Sequence, residues 1–374
     1  MFDDNLIYRL YYNWWKNIDK TIFFLIVLLF SLGLFFSLVS TSLIASNNLE
    51  TDNYFFFFKH LLYIVLGIII LIFFSSLSEK NLFRISIFLF LVSLFSLFLL
   101  PIIGTEVKGS KRWLDLFFLP RFQPIEIVKP FTIIFLATVL SSEKKINVYY
   151  KYFVSFIIII PISFLLMMQP DIGQTLLVFL TWLTLIFISG ISFIVFLTFF
   201  GVSLISLFYM VFFIPKFEYI KNRILSFLNP GNGTHNFQSE KAIDAITSGG
   251  FFGKGIGEGT LKNRVPEAHT DYIVSVISEE FGIVVIFLLL LIFLFFIHRV
   301  FKKVYLEKNE KIKLVLVGSI TLIVAQALIH IAVNIRLFPT TGMTLPFLSY
   351  GGSSIVGVSI LSGIILNLTK RKVK

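Results

Sequence analysis

The amino-acid sequence predicts an all-α polytopic membrane protein with about ten transmembrane helices. Of the 374 residues, 57% are hydrophobic and only 14% are charged, whereas soluble domains carry about 25% charged residues. Apolar runs long enough for a membrane-spanning helix recur along the whole chain. These runs do not alternate between apolar and polar residues, as the strands of a transmembrane β-barrel would. Helices are therefore the predicted membrane-spanning elements.

The ten predicted spans coincide with the apolar runs, at about 21–45, 55–77, 82–103, 124–141, 151–168, 172–189, 191–214, 272–298, 313–334 and 351–369. The first run is too long for the apolar region of a cleavable signal peptide, so we interpret it as a span. Residues 1–20 before it are aromatic and amphipathic, which predicts a cytoplasmic interfacial segment. Residues 215–271 form one large loop between spans 7 and 8, and residues 1–374 are expected to form a single membrane domain.

The distribution of basic residues predicts that both termini lie in the cytoplasm (N-in/C-in). More than half of the 32 Lys and Arg residues then fall in short cytoplasmic segments, which are the segments that set topology. The loop 215–271 accordingly lies on the extracytoplasmic side. The net charge of +11 fits cytoplasmic loops and anionic headgroups, so no nucleic-acid partner is predicted. The absence of Cys excludes disulfides and thiolate metal sites, and the five His residues show no metal-ligand spacing.

The outer segment 104–129 is unusually basic for an extracytoplasmic segment. Its cations are Lys108, Lys111, Arg112, Arg121 and Lys129. We expect them to contact either lipid headgroups or an anionic ligand such as a phosphate. Glu126 and Lys129 are three residues apart, so they share one face of the fourth span about one turn inside the membrane. A charged pair at that depth either ties helices together or lines a cavity, with Lys129 available to a phosphate.

Two irregular segments interrupt the apolar pattern near predicted span ends. Gln169, Pro170 and Asp171 separate spans 5 and 6 with almost no loop, and Asp171 either caps span 6 or faces the same cavity as a second carboxylate. The segment 338–357 is rich in Pro and Gly and leads into the last span. Irregular backbone at membrane depth needs protein or a wet cavity around it, so we predict that this segment forms a wall of the site.

The strongest candidate site lies where the loop 215–271 enters the eighth span. Residues 241–247 predict a short amphipathic helix on the membrane surface, and Gly-rich backbone follows at 249–259, which matches no nucleotide-binding fingerprint. Asp271, Ser275 and Glu279 are spaced by four residues, so they share one stripe of a helix that should face a protein cavity. A carboxylate at the mouth of this cavity, with His269 nearby, is a candidate general base. The alternative is a helix N-cap with incidental polar neighbours.

Several segments resemble one family, in order and spacing: KGSKRW with FQPIEIVK, QPDIG, NFQSEKAIDAITSGGFFGKGIGEGT, VPEAHTDYIVSVISEEFG and PTTGMTLPFLSYGGSS. They are similar to the SEDS (shape, elongation, division and sporulation) peptidoglycan polymerases of bacteria, and the resemblance extends from the first span to the last. The PEAHTD and TTGMTLPFLSYGGSS forms resemble the cell-division branch more than the rod-elongation branch. The sequence departs from the family at Ile125, Gln174 and 245–247, and none of these departures removes a charged position.

The resemblance implies a glycosyltransferase that polymerises lipid II at the outer face of the bacterial inner membrane, at the division septum. It implies Asp271 as the catalytic residue, with Glu126 and Lys129 near the same cavity. Further substrate contacts are implied for Arg112, Asp171, Gln238, Ser239, Lys254, Glu267 and His269. The implied partners are a class B penicillin-binding protein transpeptidase and other membrane proteins of the division machinery.

In the mechanism that these residues suggest, Asp271 deprotonates a sugar hydroxyl of the acceptor, which attacks the anomeric carbon of the donor. Lys129, Arg112 or a divalent cation such as Mg²⁺ or Mn²⁺ would stabilise the departing pyrophosphate, although no cofactor is indicated by the residues themselves. Three alternatives stay open: an elongation-branch polymerase, a lipid II flippase or transporter with a site at the membrane midplane, and a non-catalytic scaffold of the division machinery.

Overall fold

The chain folds into a bundle of long helices with one small sheet and a structured loop at one end. The computed structural model describes residues 12–41, 54–107, 109–116, 119–142, 148–228, 237–261 and 265–370. The elements are α1 (Lys20–Thr41), α2 (Phe55–Ser76), α3 (Glu79–Ile103), β1 (Thr105–Val107), β2 (Ser110–Leu116), β3 (Leu119–Phe122), α4 (Pro124–Leu140), α5 (Val148–Met168), α6 (Ile172–Ile188), α7 (Phe193–Phe213), α8 (Glu218–Leu228), α9 (Phe237–Gly249), α10 (Ile273–Leu306), α11 (Glu310–Asn334) and α12 (Gly352–Leu368).

Each predicted span coincides with a helix, namely α1 to α7 and α10 to α12. Among the described residues, seven of these helices are long and apolar enough to cross a membrane, which confirms a helical multi-pass membrane protein. Helices α4, α6 and α12 have 17 residues each, somewhat fewer than the roughly 20 that a full crossing needs. The number of ten crossings and the N-in/C-in orientation therefore stay predictions. The predicted end of span 1 at residue 45 and most of the segment 1–20 lie outside the described residues.

The centre of the bundle is built from α12, α4 and α11. Small residues allow α12 to approach α4 and α2 closely, as is common between helices in membranes. A Cβ added to Gly357 would lie 2.4 Å from the backbone oxygen of Glu126, and one added to Gly363 would lie 2.8 Å from that of Leu71. Helix α7, by contrast, has only Ser203 and Val211 buried. Glu126 and Lys129 on α4 and the buried polar residues of α11, described below, therefore stand on central helices.

A three-stranded antiparallel sheet, in the order β1-β2-β3, occupies the basic segment between α3 and α4. The chain as a whole is helical, as predicted, and this small sheet is an addition that the sequence pattern did not predict. A hairpin joins the first two strands, with Val107 paired to Ser110 and Gly109 at a φ of 77°, a backbone conformation that glycine adopts readily. The sheet carries Arg112 on β2, so it positions one of the predicted site residues.

The helix predicted at 241–247 is present as α9, but its small-residue face packs against protein. Ser239, Ala242, Ala245 and Gly249 are buried, and α9 contacts α10 and α11. A Cβ on Gly249 would lie 2.0 Å from the backbone oxygen of Ser278, so the two backbones are in direct contact. One face of this helix therefore rests on protein, and its position at the membrane surface stays a prediction.

The eighth predicted span is not one continuous helix. Gly282 has φ 77° and ψ 176°, which breaks α10 into a short first part and a long second part that ends at Leu306, beyond the predicted end at 298. The Gly-rich loop binds the backbone at this break, since Ile283 N donates to Gly250 O at 3.0 Å and Val284 N donates to Phe251 O at 3.3 Å. At the break, backbone N–H groups of α10 therefore donate to carbonyl groups of the Gly-rich loop.

Gly282→Ala is expected to destabilise the protein by about 1–3 kcal/mol or more, because this φ/ψ region is essentially restricted to glycine. The added Cβ would also lie 2.1 Å from Phe251 O. Thermal unfolding in detergent measures the effect. Gly201→Ala in α7 is the matched control, since its Cβ would meet nothing within 4 Å, and it should be neutral or slightly stabilising. Equal unfolding temperatures for the two variants would contradict the role assigned to the break.

Candidate active site

Asp271 lies in the turn before α10, and this turn is held by the backbone. Glu267, at a φ of 54°, accepts hydrogen bonds through its carbonyl oxygen from Thr270 N and Asp271 N, both at 3.1 Å. Three consecutive carbonyl groups of the turn are bound by other segments. The segment 338–357 donates from Tyr350 N to His269 O at 3.1 Å and from Ser349 Oγ to Thr270 O at 2.7 Å. Helix α11 donates from Asn334 Nδ2 to Asp271 O at 3.0 Å. The segment 338–357 therefore packs directly against the turn of Asp271, and its role as a wall of the site stays a prediction.

The half-buried side chain of Asp271 faces Arg112 across Gly342. A Cβ built on Gly342 would lie 3.6 Å from Asp271 Oδ2 and 3.8 Å from Arg112 Nη1. Gly342 also has a φ of 71°, a backbone conformation that glycine adopts readily. A carboxylate and a guanidinium therefore flank a small gap at the end of the bundle where the loop meets α10.

Arg112 is fixed on its other side by the turn between α5 and α6. Its Nε donates to Gln169 O at 2.9 Å and its Nη2 to Pro170 O, and Asp171 Oδ2 lies 3.7 Å from Nε. Asp171 caps α6 by accepting from Gln174 N at 3.3 Å, so the predicted cap is confirmed. Burial raises the pKa of the Asp171 carboxyl, and the positive charge of Arg112 opposes that shift.

Arg223 and Tyr219, on α8, belong to the same region, and no sequence pattern predicted their placement. Arg223 Nη1 donates to Thr340 O at 3.3 Å, and Tyr219 Oη donates to Met167 O at 2.8 Å. Burial is the main cause that lowers the pKa of Arg223, and the positive charge of Arg112 lowers it further. The negative charge of Asp171 acts in the opposite direction and raises the pKa of Arg223. The charges of Arg112, Asp171 and Arg223 thus act on one another. A second guanidinium, carried by the loop 215–271, therefore lies near Arg112 and Asp171.

Glu126 and Lys129 form a buried ion pair inside the bundle, as the spacing predicted. Only 3% of Glu126 and 2% of Lys129 is exposed. Lys129 Nζ lies 3.0 Å from Glu126 Oε1 and donates to Gln174 Oε1 at 2.9 Å and to Gln326 Oε1 at 3.3 Å. An ammonium has three hydrogens to donate, and three protein acceptors match them here. The pair therefore ties α4 to α6 and α11.

A stripe of buried polar residues on α11 connects this ion pair to Asp271. Gln326, His330 and Asn334 are spaced by four residues, so they share one face of the helix. Gln326 binds Lys129, His330 Nδ1 lies 2.7 Å from the carbonyl oxygen of Met343, and Asn334 binds the Asp271 carbonyl. Eight residues of helix span about 12 Å. The regular spacing was visible in the sequence of an otherwise apolar span and would have revealed the stripe.

The predicted polar stripe of α10 faces protein but does not line an open cavity beyond Asp271. Ser275 and Glu279 are fully buried. Ser275 N donates to Asn334 Oδ1 at 3.2 Å. Glu279 accepts from Leu261 N at 2.8 Å and lies 3.7 Å from Lys254 Nζ. Glu279 therefore holds the Gly-rich loop against α10, and Lys254 is drawn toward that carboxylate.

The remaining predicted contacts stand on the turn before α10 and on the first turn of α9. His269 packs its ring against Phe56 and Tyr350, with ring centroids 5.2 and 5.8 Å away. Gln238 and Ser239 are in the first turn of α9, half-buried and buried respectively. Within the described ranges, no three His, Asp or Glu side chains converge in a way that could hold a metal ion.

Comparisons with known proteins place this arrangement in a family. The FtsW/RodA/SpoVE model, described as a cell cycle protein, matches residues 19–374. A Caulobacter vibrioides protein named "Probable peptidoglycan glycosyltransferase FtsW" is 32% identical over 96% of this chain and 91% of its own. A Buchnera aphidicola (Schizaphis graminum) protein with the same name is 36% identical over 87% of this chain and 94% of its own.

Solved structures agree with these sequence relatives. A chain from the structure described as "Structural coordination of polymerization and crosslinking by a peptidoglycan synthase complex" superposes with a TM-score of 0.76 at 25% identity, covering 94% of this chain and 97% of that one. The rod shape determining protein RodA of Thermus thermophilus gives a TM-score of 0.69 at 25% identity, covering 94% and 96%. The protein therefore belongs to the FtsW/RodA/SpoVE family.

Proposed function

We propose that this protein is a peptidoglycan glycosyltransferase of the cell-division type, which polymerises lipid II at the outer face of the cytoplasmic membrane. The observation that carries the proposal is the half-buried Asp271 carboxylate facing Arg112 across Gly342. The carboxylate stands on a turn held through three consecutive carbonyl groups. The names of the FtsW relatives support the same activity. The proposed substrate is a disaccharide-pentapeptide carried on a polyprenyl pyrophosphate.

In the proposed reaction Asp271 acts as general base. The acceptor sugar hydroxyl gives its proton to the Asp271 carboxylate while its oxygen forms a bond to the anomeric carbon of the donor. The bond from that carbon to the pyrophosphate breaks, and the electron pair leaves with the pyrophosphate. Arg112 and Arg223 carry the positive charge that would stabilise this leaving group.

The other predicted substrate contacts are assigned by their placement. Gln238, Ser239, Lys254, Glu267 and His269 stand on α9, on the Gly-rich loop and on the turn of Asp271, so we propose that they shape the rim on which the sugars or peptides rest. Asp171 positions Arg112 through the turn between α5 and α6. Glu126 and Lys129 are buried and form an ion pair with each other. We propose that they act by holding together the helices that support the site.

The proposed setting is the division septum, with a class B penicillin-binding protein as companion. Support comes from the FtsW names of the relatives and from the structural neighbour that is a chain of a peptidoglycan synthase complex. Such a companion would cross-link the strands that this protein makes. Other membrane proteins of the division machinery are proposed on the same grounds.

The test is polymerisation of purified lipid II by the purified protein, with and without a class B penicillin-binding protein. Glycan strands resolved on a gel are the expected product, and a division-type companion should stimulate the reaction more than an elongation-type companion. Stimulation by the elongation-type companion alone would assign the protein to the other branch. Transfer of labelled lipid II across vesicles without any glycan product would instead identify a flippase.

A further inference from the structure

A second polar cavity lies at the end of the bundle remote from Asp271, the end predicted to be cytoplasmic. It has a volume of about 280 Å³ and is lined by Lys16, Ile18, Asp19, Lys20, Thr21 and Arg299. It is formed between the segment that precedes α1 and the second part of α10. Asp271 stands at the opposite end of α10, so the proposed glycosyltransferase reaction makes no use of this cavity.

Asp19 organises the cavity. It is 4% exposed, and its Oδ1 accepts from Thr21 N at 3.1 Å and Ile22 N at 3.3 Å, which caps the start of α1. Its Oδ2 lies 3.1 Å from Arg299 Nη2 and 3.3 Å from Lys303 Nζ. One carboxylate therefore joins α1 to α10 and holds two cations in place.

The charge around the cavity is strongly positive. Asp19 is the one acidic residue among those that line it, and it already contacts Arg299 and Lys303. Lys16 and Lys20 are exposed and add two positive charges that this carboxylate does not contact. Lys20 Nζ lies over the ring of Trp15, 5.4 Å from its centroid, so its ammonium is held at the rim. The cavity thus presents more cationic than anionic groups.

The aromatic residues next to the cavity place it at the depth of lipid headgroups. Trp14 Nε1 donates to Ser75 Oγ at 2.9 Å. The Trp15 ring packs edge-on against Phe23 and Phe24, with centroids 5.5 and 6.0 Å away. Phe24 is 57% exposed on α1, a surface that faces lipid in a membrane-spanning helix. Tryptophan is enriched at the boundary between headgroups and acyl chains, so the cavity opens at that boundary.

We propose that this cavity binds the phosphate group of an anionic phospholipid of the cytoplasmic leaflet, with Lys16, Lys20 and Arg299 as its cationic contacts. Lys and Arg form charge-assisted hydrogen bonds to phosphate oxygens, and basic pockets on the cytoplasmic side suit acidic headgroups. The volume is several times that of a water molecule, about 30 Å³, so a phosphodiester fits. The acyl chains would lie along the exposed surface of α1.

The experiment measures lipid binding to the purified full-length protein in detergent by native mass spectrometry. Phosphatidylglycerol is expected to bind at least about 10-fold more tightly than phosphatidylcholine with the same acyl chains. The variant Lys16→Gln/Lys20→Gln should weaken phosphatidylglycerol binding by about 30-fold, the effect of two cations near a membrane surface. Arg299 is left unchanged because it also binds Asp19.

The matched control is Lys80→Gln/Lys308→Gln, which removes two exposed lysines outside the cavity that lie on the same predicted face. It should weaken binding by less than about threefold, because only the cavity concentrates cations. Equal weakening by the two double variants, or equal binding of the two lipids by the unchanged protein, would overturn the proposal. Release of phosphatidylglycerol by millimolar inorganic phosphate would assign the cavity to a soluble phosphate and overturn the lipid as its ligand. None of these outcomes depends on glycosyltransferase activity.

Discussion

Asp271→Asn is expected to reduce lipid II polymerisation by a factor of about 10² to 10⁴ while leaving the fold intact. An amide cannot take the proton of the acceptor hydroxyl, and general-base assistance contributes rate factors of that size. The fold should be unaffected because Asn has nearly the same shape and the hydrogen bonds that hold the turn involve the backbone of Asp271. Single-turnover and steady-state polymerisation of purified lipid II measure the rate.

Asp115→Asn is the matched control for this prediction. Asp115 lies on β2, the strand that also carries Arg112, and its side chain is 48% exposed, in an ion pair with Arg121 at 3.2 Å. Exposed pairs of this kind contribute about 0–1 kcal/mol, so this variant should keep full activity. Polymer made by Asp271→Asn at the unchanged rate would remove Asp271 from the role of base. Loss of activity in both variants would point to a general need for negative charge on this face.

Lys129→Met is expected to lower the free energy of unfolding by about 3–5 kcal/mol, because it leaves the Glu126 carboxylate buried without a countercharge. Gln174 Nε2 still donates to Glu126 Oε1 at 2.7 Å, but one amide does not replace an ammonium. The double variant Glu126→Gln/Lys129→Met should recover most of the loss, since both charges are then absent. Equilibrium unfolding in detergent gives the four free energies of the double-mutant cycle.

Lys313→Met provides a matched control for the buried pair. Lys313 and Glu310 have the same three-residue spacing and an ion pair at 3.1 Å, but their side chains are 31% and 64% exposed. This variant should change stability by at most about 1 kcal/mol. If Lys129→Met proves as stable as the unchanged protein, the ion pair does not tie the helices together. A Glu126→Gln/Lys129→Met variant that regains stability but makes no polymer would show that Lys129 acts on the substrate. Recovered polymerisation in that variant would confirm that Lys129 has a purely structural role.

The sequence alone predicted much of the fold because membrane-spanning helices leave a local and repetitive signal. A helix in lipid satisfies its own backbone and needs a long apolar run, so all ten predicted spans coincide with helices. The three-residue spacing of Glu126 and Lys129 and the cap at Asp171 are also local, and both appear as predicted. The candidate base at 271 follows from its place at the entrance of a helix.

Tertiary structure decided what depends on contacts between distant parts of the chain. The sheet at 105–122 has strands of three to seven residues, too short to stand out beside spans of twenty. The break at Gly282 is explained by the Gly-rich loop, which binds the backbone there. Arg223 comes close to Arg112 and Asp171 from the loop helix α8, and no local sequence pattern encodes the placement of that helix. The burial of Lys129 against Glu126, Gln174 and Gln326 could also not be predicted, because solvent exposure is a property of the packed bundle and not of residue spacing.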